Sequence, residues 1–192
     1  TPNDAMALVP SIERFYDRGI PVILASRKIH SGKYTASISA DNVDIGERVG
    51  TYITARLGGH GRIIEIQGPA NATSCQERHY GLQSVLEKFP DIDVVSSICV
   101  NWDYQLALHA ADSLLRLYPN VDLITAQNDV MASAAYEACE RLHILPMPAI
   151  VGVDGLVGPG NGLSNITDGM LSATCLNPTG ASETIELAYK IL

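Results

Sequence analysis

A chain of 192 residues with 46% hydrophobic and 18% charged content can fill one large domain or two small lobes, and nothing in that composition points to disorder. Its formal net charge is −8 and its longest basic run is Arg27-Lys28, so a phosphate backbone would be repelled and nucleic acid is not an expected partner of this piece. No apolar run approaches the ~20 residues of a membrane helix, and the opening Thr1-Pro2-Asn3-Asp4 lacks a signal-peptide pattern and reads as a loop and helix cap, as in a fragment.

From Asn3 to Arg18, apolar residues at Leu8, Ile12, Phe15 and Tyr16 make a helical stripe that ends at Gly19. The β-branched run from Ile20 to Ala25 suits a buried strand, and Thr35 to Ala40 a second. Asp41 or Asn42 would cap a helix through Leu57, closed by Gly58-Gly59. Arg62 to Ile66 reads as a strand and Ser74 to Phe89 as a helix stopped by Pro90. Val94 to Val100 is the next strand, followed by a helix from Tyr104 to Tyr118 with Ala107, Ala111, Leu114 and Leu115 on one face. A strand over Leu123 to Ala126 leads into a helix from Asp129 to His143. Strands at Ala149 to Val153 and Leu171 to Cys175, then a helix from about Gly180, complete the pattern. Short apolar strands alternating with helices of about fifteen residues predict an α/β fold of parallel sheets with helices on both faces.

Ligands of open parallel sheets sit beyond the carboxyl ends of the strands. Those ends here read Ser26-Arg27, Gly68-Pro69-Ala70, Asn101-Trp102-Asp103, Gln127-Asn128-Asp129, Asp154-Gly155 and Asn177-Pro178. A single polar residue after a strand is ordinarily a helix cap. A whole rim of amides, carboxylates and arginine with the single Trp suits a hydroxyl-rich ligand. Asn and Asp exchange hydrogen bonds with vicinal hydroxyls, Arg offers a rigid fork of donors, and Trp stacks on the apolar face of a sugar ring.

Five strings in order carry a resemblance across nearly the whole chain: Gly19-Ile20-Pro21-Val22 with Arg27, Ala40-Asp41-Asn42, Glu77-Arg78, Ala126 to Ala132, and Val151 to Gly155. They resemble the type I periplasmic sugar-binding proteins, the group that includes the LacI-type repressor cores. Tyr34-Thr35, Glu65 to Gly68, Gly158 to Leu163 and Pro178-Thr179-Gly180 further resemble the periplasmic sensor domains of hybrid two-component histidine kinases of Bacteroidetes. The resemblance implies a two-lobed fold with a truncated first lobe, residues 1–40 and 178–192, and a second lobe over 41–177. It implies a carbohydrate sensor domain of an inner-membrane receptor, located in the periplasm, with a homodimer compatible with that role. The other expectations are a sugar-binding protein of an ABC transporter and the effector core of a repressor. No cofactor, metal or membrane insertion of this piece is expected.

Matched to the family motifs, Arg27 resembles the arginine that bonds sugar hydroxyls from the hinge side; its usual aspartate predecessor is here Ser26. Arg78, a cation near a helix start where the macrodipole disfavours it, resembles a second sugar-binding arginine, an exposed helix charge being the alternative. Trp102 resembles the stacking aromatic, with a core or interface aromatic as the alternative, and its neighbours Asn101 and Asp103 read as caps. Asn128 reads as the ligand contact and Asp129 as the cap. Asp154 would face the cleft, where a buried carboxylate needs partners; it follows Val153, where some family members carry an aromatic. Asn177 falls one residue out of register with a hinge-side amide.

Enzyme chemistry has little support in the residues. The run Gly158-Pro159-Gly160-Asn161-Gly162 only superficially resembles a dinucleotide loop, and no phosphate-loop, zinc-helix or nucleophile-elbow motif occurs. The five histidines are scattered. Cys75, Cys99, Cys139 and Cys175 lack a C-x-x-C pair, which argues against zinc, leaves disulfides open and favours small buried hydrophobes.

Overall fold

The computed structural model describes residues 4–191. Its elements run α1 (Val9–Tyr16), β1 (Ile23–Ala25), β2 (Ala36–Ile38), α2 (Asn42–Leu57), β3 (Gly61–Gln67), α3 (Thr73–Leu86), β4 (Ile92–Cys99), α4 (Tyr104–Leu117), β5 (Leu123–Ala126), α5 (Asp129–Arg141), β6 (Ala149–Asp154), α6 (Gly162–Thr167), β7 (Ala173–Leu176) and α7 (Ala181–Ile191). The expected alternation of parallel strands and helices is therefore present.

Local chemistry sets the boundaries. The Asp41 carboxylate accepts from the amides of Val43 and Asp44, and Gly58, at φ +64°, ends α2 in the left-handed conformation that glycine adopts without strain. Asp103 caps α4 by accepting from the Leu106 amide. The first helix is shorter than its apolar stripe. Asp4 instead caps a turn by accepting from Met6 and Ala7, and the helix begins at Val9 with Pro10 in its first turn, where a missing N–H costs nothing. The expected start at Asn3 and the opening loop Thr1-Pro2-Asn3 lie outside the described residues. The first strand also shrinks, because Pro21 has no N–H and the Val22 amide donates to the Thr35 hydroxyl. Helix α6 was hidden in the glycine run, which has too few apolar residues to show a period.

Two sheets result, both wholly parallel: β1 with β2, and a five-stranded sheet in the order β4-β3-β5-β6-β7. Period-two alternation along β3 sends Ile63 to one face and Ile64 and Ile66 to the other. Ile63 joins Ile45, Val49 and Ile53 of α2 and Leu82 and Leu86 of α3. Ile64 and Ile66 join Ala107, Ala111 and Leu115 of α4 and Met131, Ala135 and Ala138 of α5. Helices α2 and α3 approach each other through bare backbone: a Cβ on Gly46 would lie 2.1 Å from the Arg78 carbonyl oxygen, and one on Gly81 would lie 2.1 Å from that of Val43. This contact locks α3, and with it Arg78, against the sheet.

Candidate ligand-binding cleft

The chain order places a switch point between β3 and β5, where successive crossovers go to opposite sides. A crevice is expected beyond the carboxyl ends of such strands. A cleft of about 370 Å³ lies there, lined by Ser26, Arg27, Ser74, Arg78, Asn101, Trp102, Asn128, Asp154 and Asn177. That volume suits a small molecule. All seven residues singled out from the sequence line it, drawn from four loops, the end of strand β6 and one helix. Ser74 and Asn101 were not anticipated. Asn101 was read as a cap, a task that Asp103 performs instead, and Ser74 lies in the first turn of α3, away from the strand-end rim.

Arg78 is buried rather than an exposed helix charge, at 7% exposure. Its Nε donates to Asn42 Oδ1 at 2.9 Å and its Nη1 to the Gln127 carbonyl, so its guanidinium is held from two sides. Asn177 Nδ2 donates to Asp154 Oδ1 at 3.1 Å. Burial pushes the Asp154 carboxyl above its usual range, and the Asn177 amide, Arg78 and Arg27 pull it partly back. The Arg27 guanidinium lies over the Trp102 ring, 5.6 Å from its centroid. Behind that ring is Gly68, where a Cβ would lie 2.1 Å from the indole. Trp102 Nε1 is buried and has no hydrogen-bond partner among the described residues.

The cap assignment at α5 must be exchanged. Asn128 is the cap, its Oδ1 accepting from the Met131 amide at 2.8 Å, which leaves its amide nitrogen for the cleft. Asp129 is buried and accepts from the Gly155 amide at 2.9 Å and the Thr174 hydroxyl at 2.6 Å. Both residue types cap helices, and only burial tells them apart.

Backbone strain gathers at this site. Among the described residues, four non-glycine residues have positive φ: Ser26 (70°), Trp102 (58°), His143 (54°) and Asp154 (127°). Three of these line the cleft. Each such residue costs on the order of 1–3 kcal/mol, and such strain concentrates where ligands bind.

Beneath the floor, Glu65 is 1% exposed and accepts from His79 (2.8 Å), Ser97 (2.7 Å), Gln67 (2.9 Å) and Gln127 (3.3 Å). Burial alone would raise its pKa, but the hydrogen bonds from His79, Gln67 and Ser97 hold it below the usual carboxylate range. His79 is raised in turn by its bond to Glu65. The four cysteines are free thiols. Cys75 and Cys139 are buried as expected, with burial pushing each up to about 12, whereas Cys99 is exposed and Cys175 half-buried. No helix among the described residues is long and apolar enough to cross a membrane, and among them no cluster of His, Cys, Asp and Glu could hold a metal ion.

Comparison with known proteins fits this architecture. A family profile described as "Periplasmic binding protein domain" matches residues 1–192; the chain belongs to that family. It is similar to the ribose import binding protein RbsB of Escherichia coli (strain K12), 31% identical over 195 residues, with 100% of this chain and 64% of RbsB covered. The xylitol-binding protein of Mycolicibacterium smegmatis is 29% identical over 188 residues, with 97% and 52% covered. Among solved structures, the fructose-binding periplasmic domain of the hybrid two-component system BT1754 is 41% identical at a TM-score of 0.95, with 98% of this chain and 63% of that one covered. The chain thus spans between about half and two thirds of the length of these relatives.

Proposed function

We propose that this chain is the larger part of a sugar-binding sensor domain, periplasmic in location, belonging to a hybrid two-component receptor. The observation that carries the reading is the convergence of two arginines, an aspartate, three asparagines and the single Trp on one cleft whose rim is built of strained strand ends. Neutral polyols need this balance: donors and acceptors in fixed positions, with a flat apolar surface beside them. The 41% identity to a fructose-binding sensor domain favours a receptor. The 31% identity to RbsB favours the second reading, a transporter's binding protein. A membrane helix encoded downstream in the parent gene distinguishes the first from the second.

In this proposal residues 1–40 and 178–192 belong to the first lobe and 41–177 to the second. In support, all five strands of the larger sheet fall within 41–177, while α1, β1, β2 and α7 fall outside. The sugar would bridge Ser26 and Arg27 on the first lobe and Arg78, Trp102, Asn128 and Asp154 on the second, with Asn177 at the border between them. A ligand that touches both lobes only when they close shifts the population toward closure, and the receptor transmits that change.

Calorimetry of the intact domain, including the portion its relatives carry beyond this chain, against monosaccharides and short oligosaccharides tests the reading. Binding is expected, with Trp102→Ala and Asp154→Ala each weakening it by about tenfold or more. Unchanged affinity in both variants overturns the site assignment. Affinity should also fall on acidification. As a carboxylate Asp154 accepts hydroxyl protons on both oxygens, protonation turns one of them into a donor, and its pKa is raised, so the loss begins at a higher pH than for an ordinary aspartate.

A further inference from the structure

Beside the cleft, a second carboxylate occupies space that would otherwise belong to side chains. Strand β6 alternates, with Val151 and Val153 packed toward α2 and α3 and Ile150 toward α4 and α5. Gly152 and Asp154 follow Ile150 on the α5 side by the same period. At Gly152 a Cβ would lie 2.1 Å from Asp129 Oδ1, and at Gly162 one would lie 2.0 Å from Asp129 Oδ2. The Asp129 carboxylate therefore fills the gap between β6 and the start of α6, and two glycines are required to admit it. Its oxygens are taken from two further directions, by Gly155 N–H at the end of β6 and by Thr174 Oγ1 of β7. The Gly155 amide follows directly on Asp154, where the chain turns at φ +127° and Gly155 continues at +65°.

We infer that Asp129 is the positioning residue of the cleft: by holding the Gly155 amide and keeping Gly152 and Gly162 bare, it dictates the turn that aims the Asp154 carboxylate at the ligand. The binding arm of this inference rests on the sugar reading above. Asp129 is not among the residues that line the cleft; it acts through the backbone of the residue after Asp154. It also contributes charge. Burial raises the Asp129 carboxyl above its usual range, the Thr174 and Gly155 hydrogen bonds pull it partly back, and nearby Asp154 adds to the rise while Arg78 opposes it. The charged or titratable groups facing the two carboxylates are Arg78 from α3, Arg27 from the loop after β1 and Cys175 from β7, while Thr174 and Asn177 add neutral hydrogen bonds.

The test uses Asp129→Asn in the intact domain, with Thr174→Val as a milder variant that removes one donor and leaves the charge. Sugar affinity by calorimetry is expected to drop about tenfold in Asp129→Asn, the scale of one misaimed hydrogen bond to a charged group, and less in Thr174→Val. The acid limb of the affinity-versus-pH curve is expected to become less steep in Asp129→Asn only, because one of two carboxyls that burial raises no longer titrates. A purely structural role would leave that limb as steep as before. In the ligand-free protein, the Gly155 amide should lose hydrogen-exchange protection and shift upfield in the NMR spectrum of Asp129→Asn. A wild-type domain that binds no sugar removes the functional reading, and the Gly155 amide then decides this inference alone. A wild-type domain that binds, with a variant that binds equally well and keeps its acid limb and Gly155 signal, removes only the inference.

Discussion

The five-stranded and two-stranded regions are made of the same kinds of segment, yet they hold together differently. Around the larger sheet, both faces are covered, and residues such as Ile53, Ile64, Leu115 and Ile150 are at most 1% exposed. Around β1 and β2, neither α1 nor α7 buries a single residue. Phe15, Tyr16, Ile185 and Tyr189 stand in solvent. The difference is one of layers: a parallel sheet is stable only when both faces are covered, and the smaller sheet has only two strands and two lightly packed helices. The cleft joins the two regions, and only Ser26, Arg27 and Asn177 come from the less consolidated side or its border.

Substitutions would sharpen the contrast. The largest effect is expected at the glycine crossing of α2 and α3. Gly81→Val should prevent folding or remove most of the stability measured by denaturant unfolding, since even a Cβ there meets the Val43 carbonyl at 2.1 Å. Next, Ile64→Ala in the centre of the larger sheet should cost about 2–5 kcal/mol, as a large-to-small change in a packed core. By contrast, Ile185→Ser on α7 should change stability by less than about 0.5 kcal/mol, as exposed positions do. If the lobe division proposed above is right, that same substitution costs more in the longer domain, where further chain covers α7. Equal effects in both would break the comparison.

A smaller effect is expected at His79. Its pKa is raised in the folded protein, so its stabilising pair with Glu65 is fully present below the ordinary histidine value, about 6.5. It is lost as pH rises through the raised value. The melting temperature of His79→Gln should therefore fall furthest below wild type near pH 6, with the gap narrowing above neutrality. A gap that does not change with pH would mean that the histidine contributes no charge there.

Much of this was legible in the sequence, for identifiable reasons. Strand ends in a parallel fold converge by topology, so Trp102, Asn128 and Asp154 fall on a rim marked by its place after apolar runs, from which the family resemblance singles them out. Capping chemistry likewise announced α2 and α4. What stayed hidden depends on neighbours distant in the chain. Glu65 is satisfied by residues 14, 32 and 62 positions away, and no local pattern joins them. The roles of Asn128 and Asp129 were exchanged because adjacent Asn and Asp are equally good caps, and the space that makes one of them buried is created by Gly152 and Gly162. Helix α6 has six residues, too few to declare a period.

The left-handed backbone at Ser26, Trp102 and Asp154 has a consequence for how such a domain changes its ligand over evolution. At these positions the path of the chain is held by surrounding groups, as Asp129 holds the turn after Asp154, rather than by the side chain that happens to be present. The contour of the site is a mould, and the groups projecting into it are replaceable fittings. Exchange of a serine, an indole or a carboxylate there would retune which hydroxyl pattern is accepted while the mould keeps its form. One frame can thus serve ligands as different as fructose, ribose and xylitol, the compounds named for its relatives.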